Sequence, residues 1–322
     1  MKVLVTGCGG LVGSECVRYF DAIGHKVTGV ENDSRKKWFG EEGTVCPTLR
    51  FLLQTTNLNL HAADIRYYSF TDSYDLIIHA AAQPSHDKAR EIPVEDFDVN
   101  AMGTLRLLEQ TRKKSPNAVF VFLSTNKVYG DAPNGFNIRE FTMRYDAPTV
   151  YECCPIDQST HSIFGASKLA ADIMVQEYAK TYGLKTVCFR CGCLTGKQHA
   201  GVELHGFLSY MAKVARRKGV YKIYGYKGKQ VRDNLHAFDV VKAIEAFYEN
   251  PRPGEVYNLG GGRANSISVI EAAEYFGVQT EYVDEARLGD HICYISDLTK
   301  FQNHYPQWKV TRSLDSILKE LK

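Results

Sequence analysis

The run HSIFGASK, residues 161–168, places a phenylalanine and a lysine four positions apart, just ahead of LAADIMVQEYAKTYG, whose amphipathic spacing predicts a helix. Phe164 and Lys168 therefore share one face of that helix. A lysine one turn beyond a phenol lowers the phenol's pKa and makes it a proton shuttle. Here the ring is bare. A second group of residues lies at the start of the chain, where GCGGLVG carries glycines at 7, 10 and 13. Gly7 permits a tight turn, Gly10 lets backbone approach a pyrophosphate, and Gly13 lets a helix pack closely on a strand. Glu31 follows 18 residues after Gly13, where a carboxylate takes both hydroxyls of an adenosine ribose and repels a 2′-phosphate. That favours NAD over NADP, a preference that Arg35 and Lys36 weaken. Asp64 and Ile65 in ADIR are placed to meet an adenine, and Ala80 and Ala81 in HAAAQ to put backbone under the phosphates.

The elements that must position these groups alternate. KVLVTG from residue 2, KVTGVEND (26–33), a short run within 57–66, YDLIIHAAA (74–82), AVFVFLST (118–125) and KTVCFRC (185–191) read as strands. Between them lie helical stretches, chiefly the one after the glycine turn and those at 93–114 and 162–182. Such alternation predicts an α/β fold with a doubly wound parallel sheet covered on both faces. After about residue 195 the rhythm loosens into a helix at LHGFLSYMAKVARRKG, a loop or short strand before a second helix, and a strand at GEVYNLGGG. Residues 1–190 are expected to bind the cofactor. Residues 191–322 are expected to form mainly a smaller α/β substrate lobe, with some segments returning to the first domain.

The balance of 39 basic and 37 acidic residues gives no electrostatic reason to expect nucleic acid or an acidic membrane surface as partner. Nine cysteines, an odd number without zinc-site spacing or a signal peptide, point to buried thiols in a reducing cytoplasm and to no metal. No apolar run approaches the roughly 18 residues of a spanning helix.

GCGGLVG, ADIR, HAAAQ, DVNAMGTLRLLE, STNKVYGD and FGASKLAAD together resemble, in order and spacing, the extended short-chain dehydrogenase/reductase family of nucleotide-sugar epimerases and dehydratases. The resemblance covers nearly the whole chain and implies a Rossmann-type sheet. Within the family, STNKVYGD, GKQVRDNLHAFD and YNLGGG look most like the CDP-paratose 2-epimerases, also called CDP-tyvelose epimerases. The resemblance implies a tightly bound NAD, a nucleoside-diphosphate sugar substrate, CDP-linked, and C2 epimerisation by transient oxidation and re-reduction. A reductase or dehydrogenase that releases an oxidised sugar is the alternative among enzymes. The resemblance also implies a homodimer built from the 93–114 and 162–182 helices.

Carried across by position, Thr125 would hydrogen-bond the oxygen being oxidised, and Lys168 would bind the nicotinamide ribose. Leu11, Val12, Asn32, Ser34, Ala82, Asn100 and Ser124 would complete the cofactor contacts. Gln83 and Lys127 would face the reacting sugar, with His199 and His205 lining it. Arg232 and Arg287 would clamp the pyrophosphate, and Asp290 or Asp297 would position Arg287 or a ribose. Phe164 stands where the family has its catalytic tyrosine. Three explanations fit: a substitution made to trap substrate, a protein that binds a nucleotide sugar without turning it over, or a base supplied from elsewhere. His161, Tyr151 and Cys193 are the candidates for that base.

Overall fold

The computed structural model describes residues 1–203, 205–287 and 289–322. Five strands, β1 (Lys2–Thr6), β2 (Lys26–Glu31), β3 (Asn59–Ala62), β4 (Leu76–His79) and β5 (Val119–Thr125), join strands Lys185–Cys191 and Glu255–Leu259 in one seven-stranded sheet. Its order is 255–259, 185–191, β5, β4, β1, β2, β3, and every pairing is parallel. Alternate residues serve opposite faces. Val3, Val5, Val119 and Val121 enter the core beneath α1 (Leu11–Ala22), whereas Leu4, Ile77, Phe120 and Phe122 meet Ala171 and Val175 of helix Ile163–Tyr182 on the other side. Burial on both faces is why these strands are continuous apolar runs in the sequence. The strand order reverses between β1 and β4, so the crevice for a ligand opens at their carboxyl ends.

Two elements depart from expectation. The 93–114 stretch is not one regular helix: Pro93–Phe97 runs into a wide turn at Asp98–Met102 before Gly103–Lys114 resumes. At that turn Gly103 packs on Ile65, and a Cβ on Gly103 would lie 2.9 Å from the Ile65 side chain. Between β2 and β3, helices Ser34–Phe39 and Cys46–Thr55 occupy a region with no expected element. The 162–182 helix starts at Ser162, whose hydroxyl accepts from the Gly165 amide at 3.0 Å, and stops at Gly183 in the left-handed conformation.

The back third is interleaved with the sheet. Helix Ala237–Glu249 packs on α1, and the 255–259 strand forms the sheet edge. Helices Phe207–Arg216, Val269–Phe276 and Leu314–Leu321 build a separate core of Leu208, Met211, Ile223, Phe276, Ile317 and Leu318. Strands Val220–Tyr224 and Val231–His236 replace the expected loop or single short strand. Among the described residues no helix is long and apolar enough to cross a membrane, and all nine cysteines are free thiols.

Candidate active site

A cavity of about 430 Å3 occupies the crevice between the carboxyl edge of the sheet and the back-third helices. At its floor, Gly7 has φ +69°, and a Cβ there would meet the Ala81 nitrogen at 2.7 Å. Only glycine fits. Gly10 caps α1 without a side-chain acceptor, which leaves the first amides of the helix pointing into the cavity with the positive end of its dipole. Ala80, Ala81 and Ala82 form the facing wall. Beneath them His79 is buried between two threonines, with Nδ1 2.8 Å from Thr6 Oγ1 and Nε2 2.9 Å from Thr104 Oγ1. Thr104 spends its proton on the Asn100 carbonyl, so Nε2 is the donor and Nδ1 accepts from Thr6. Burial pushes this imidazole down to about 3 and keeps it neutral, while Thr6 Oγ1 accepts the Ala81 amide.

Leu11, Val12 and Gly13 line the phosphate end, and Asn32, Ser34 and Asp64 the adenosine end. Glu31 accepts the amides of Gly9 at 3.2 Å and of Asn32 and Asp33 at 3.0 Å, leaving lone-pair capacity on Oε2 for a hydroxyl. Burial raises its pKa against those three donors. Asp64 is held by Arg66 and accepts from Asn32 Nδ2 at 3.0 Å; Ile65 contributes an apolar wall. Arg35 donates to the carbonyls of Gly43 at 3.3 Å and Ala200 at 2.8 Å. Its fork is thus engaged beside Glu31, and these residues fit NAD. Bound NAD would supply a hydride acceptor and, once reduced, a hydride donor.

At the other end of the cavity stand Ser124, Thr125, Lys168 and Phe164. Ser124 donates to Asp172 at 2.6 Å. Thr125 Oγ1 accepts the Lys127 amide at 3.2 Å, and its proton is held only by a long contact of 3.4 Å to Asn126. The Lys168 ammonium donates to the Leu123 carbonyl at 2.8 Å and lies 4.0 Å from the centre of the Phe122 ring. Burial pushes it down to about 8. Against Phe164 lies a residue that reading the sequence missed: His86, whose ring centre is 5.5 Å away at a 36° tilt.

Several expected contacts are corrected. His161 does not line the cavity; its two ring nitrogens each lie 2.8 Å from a backbone carbonyl, of Ser159 and Val128, so both face the chain and not a substrate. Tyr151 is half exposed and outside the cavity. Cys193 lines it, but burial pushes its thiol up to about 11, which keeps it protonated. Gln83 and Asn100 turn inward: Gln83 donates to Asp96 at 2.7 Å, and Asn100 reaches Asp96 and Ser167 at 3.1 Å. Asp290 pairs with Lys127 at 2.9 Å and Arg232 at 2.6 Å, not with Arg287, whose nearest carboxylate is Asp87 at 3.7 Å. Burial pushes the Asp290 carboxyl up, but Arg232 and Lys127 outweigh it and hold it well below the usual range. Asp297 accepts from Thr149 and Thr299 away from the cavity. His199 and His205 do line it, 3.3 Å apart and bonded to each other.

The family model described as the NAD dependent epimerase/dehydratase family matches residues 3–260. The chain belongs to that family. CDP-paratose 2-epimerase of Salmonella typhi is 30% identical to it, over 94% of this chain and 93% of that protein. A dTDP-glucose 4,6-dehydratase of Escherichia coli is 28% identical over 84% of this chain and 75% of its own length. Among solved structures, Thermus thermophilus UDP-glucose 4-epimerase in complex with NAD superposes with a TM-score of 0.79 at 24% identity, covering 100% and 97% of the two chains. Bacillus cereus UDP-glucuronic acid 4-epimerase with UDP-glucuronic acid and NAD gives 0.79 at 21%, covering 99% and 97%. These two likenesses establish the fold, and the family establishes NAD as the cofactor.

Proposed function

We propose that the protein epimerises C2 of a CDP-linked sugar by transient oxidation and re-reduction on bound NAD. The observation that carries this reading is a single cavity whose lining includes the glycine cradle, Thr125 and Lys168, and Arg232 and Arg287. The Thr125 hydroxyl is free to donate to a sugar oxygen, Lys168 supplies positive charge beside it, and the two guanidinium groups suit a pyrophosphate. The 30% identity with CDP-paratose 2-epimerase over nearly both chains supports the choice of CDP and C2. We place the enzyme in the cytoplasm, which nine unpaired thiols support.

The test is incubation of the NAD-loaded protein with CDP-sugars, and with UDP- and dTDP-sugars as comparison, following the C2 signal by proton NMR. Inversion at C2 of a CDP-sugar is expected. Conversion of only UDP- or dTDP-sugars, or inversion at another carbon, would overturn the specificity, and release of a ketosugar would make the protein a dehydrogenase. Phe164 favours a second reading, a silent nucleotide-sugar binder, which tight binding of every sugar without conversion would establish.

We further infer a homodimer through the 93–114 segment and helix Ile163–Tyr182. Its support is the exposure of Val94, Phe97, Ile173 and Tyr182 on or beside them. Light scattering at micromolar concentration is expected to give twice the chain mass, and a monomer would refute the arrangement.

A further inference from the structure

Replacing a tyrosine by Phe164 leaves the carbinol proton without an acceptor, and most polar groups lining that end of the cavity are already engaged. Thr125 is a neutral hydroxyl that still carries its proton and can donate to the sugar oxygen but not take the proton from it. Lys127 donates to Asp290 and to the Gly289 carbonyl, and Asp290 is shared with Arg232. Lys168 donates to Leu123. His199 and His205 are bonded to each other at 3.3 Å, and although His199 Nδ1 has no partner, neither ring stacks on Phe164. His86 does, with its ring centre 5.5 Å away. Among the described residues no hydrogen bond engages its ring, and Nδ1 is shielded from water with no partner. A polar atom buried in that way destabilises the site, and the His86 side chain lines the cavity.

The backbone that carries His86 is held with unusual care. Gln83 Oε1 accepts the Ser85 amide at 2.7 Å, and Gln83 Nε2 donates both to the Ser85 carbonyl at 2.9 Å and to Asp96. Asp96 in turn accepts from Ser167, on the same helix as Phe164 and Lys168. The amides expected to touch ligand therefore form a buried brace that fixes the position of His86 relative to the Phe164 ring. Rigid support of this sort suits a group that must meet a reacting atom within a fraction of an ångström.

We propose that His86 is the proton-transfer group of this site, in place of the phenol that Phe164 lacks. The proposal rests on the reading that the cavity oxidises and re-reduces a nucleotide-linked sugar. As the carbinol C–H bond breaks, its hydride goes to NAD, the C=O bond forms, and the hydroxyl proton passes to the free imidazole nitrogen of His86. When the hydride returns to the opposite face, His86 gives the proton back to the oxygen, so the enzyme ends unchanged. In the empty site burial, reinforced by Lys127, pushes the imidazole down to about 3. The charged and titratable groups facing it are Lys127, Asp290, Arg232, Arg287, His205 and its neighbour Asp87. Three of the facing groups are cations whose charge a bound pyrophosphate would offset, which moves the imidazole upward when substrate is present, while burial, the larger cause, continues to hold it down.

The test compares wild type, His86→Ala, His86→Gln and the double variant His86→Ala/Phe164→Tyr, each loaded with NAD, against the CDP-, UDP- and dTDP-sugars. Both single variants are expected to lose about 10²–10⁴-fold in kcat, with nucleotide-sugar Kd changed by no more than a few fold. The added phenol beside Lys168 is expected to recover at least about tenfold, as the second general base of the pair. Independently of turnover, the His86 imidazole nitrogen resonance is titrated with and without CDP-sugar or UDP-sugar, and its midpoint is expected to move to higher pH on binding. Wild-type turnover by His86→Ala, or a His86 midpoint unmoved by saturating nucleotide sugar, overturns the proposal. If wild type converts no sugar, the function proposed above fails, and the titration alone decides whether His86 meets the ligand.

Discussion

Replacing Gly13 by alanine is expected to strip the protein of NAD. A Cβ at this position would lie 2.1 Å from the Gly7 carbonyl oxygen, 2.8 Å from its carbon and 2.9 Å from Cys8 Cα, all backbone atoms that no rotamer change can move. α1 must then lift off the turn. The Gly7 carbonyl also accepts the Gly10 amide at 3.0 Å, so the lift deforms the loop and the helix start together, and these are the donors meant for the pyrophosphate. We expect an affinity loss of at least about a hundredfold, equivalent to roughly 2.7 kcal/mol, and an overpacking cost of about 1–3 kcal/mol in stability. Calorimetric titration with NAD and a thermal melt measure the two. Gly24→Ala is the control: its φ of +83° strains an alanine, but nothing lies within 4 Å of the new Cβ, so stability should fall slightly and NAD should stay. A Gly13→Ala protein that purifies replete with NAD would mean that the cradle does not depend on this contact.

The parts legible in the sequence were those in which one residue type answers one local demand. Val3, Leu4 and Val5, or Val119 to Phe122, are apolar without interruption because both sheet faces are covered. Gly7 and Gly13 are glycines because backbone lies within 3 Å of any Cβ. What stayed hidden depends on partners distant in the chain. Ser34–Phe39 and Cys46–Thr55 each bury a single side chain, Trp38 and Leu52, too little to impose a periodic pattern. Gln83 and Asn100 are polar residues beside the site, and only the fold reveals that Asp96 and Ser167 claim their amides. His161 and His86 look alike in sequence, each next to serine near the start of a helix. Two carbonyls occupy the first, and none engages the second. Ser85–His86–Asp87 carried a usable signal all the same: a helix cap followed by an imidazole, directly after the strand end that carries the phosphate wall.

Asp172→Ala is expected to cost about 3–5 kcal/mol, the penalty for removing one partner of a buried ion pair. Asp172 lies one turn beyond Lys168 on the Ile163–Tyr182 helix and is fully buried. Its two oxygens receive four donors: Arg190 NH2 at 2.8 Å and Gln176 at 2.7 Å on Oδ1, Arg190 Nε at 3.1 Å and Ser124 at 2.6 Å on Oδ2. Without the carboxylate, the Arg190 guanidinium keeps its charge in the core with only the Tyr129 hydroxyl, 3.3 Å away, to receive a hydrogen bond, and Ser124 loses its acceptor next to Thr125. At roughly 2.1 cal/mol/K of unfolding entropy per residue, a chain of 322 residues should melt about 4–7 °C lower. Turnover should fall with it, because the end of β5 that presents Thr125 is anchored through Ser124. A melting point within a degree of wild type would show that the network is not holding the strand to the helix. Asp172→Leu combined with Arg190→Met separates the pair's net worth from the cost of orphaning one member: an apolar replacement of both is expected to recover most of the stability. The recovered protein should still turn over slowly, since leucine gives Ser124 nothing to bond, and that split between restored fold and unrestored rate would assign Asp172 to positioning the site as well as to packing the core.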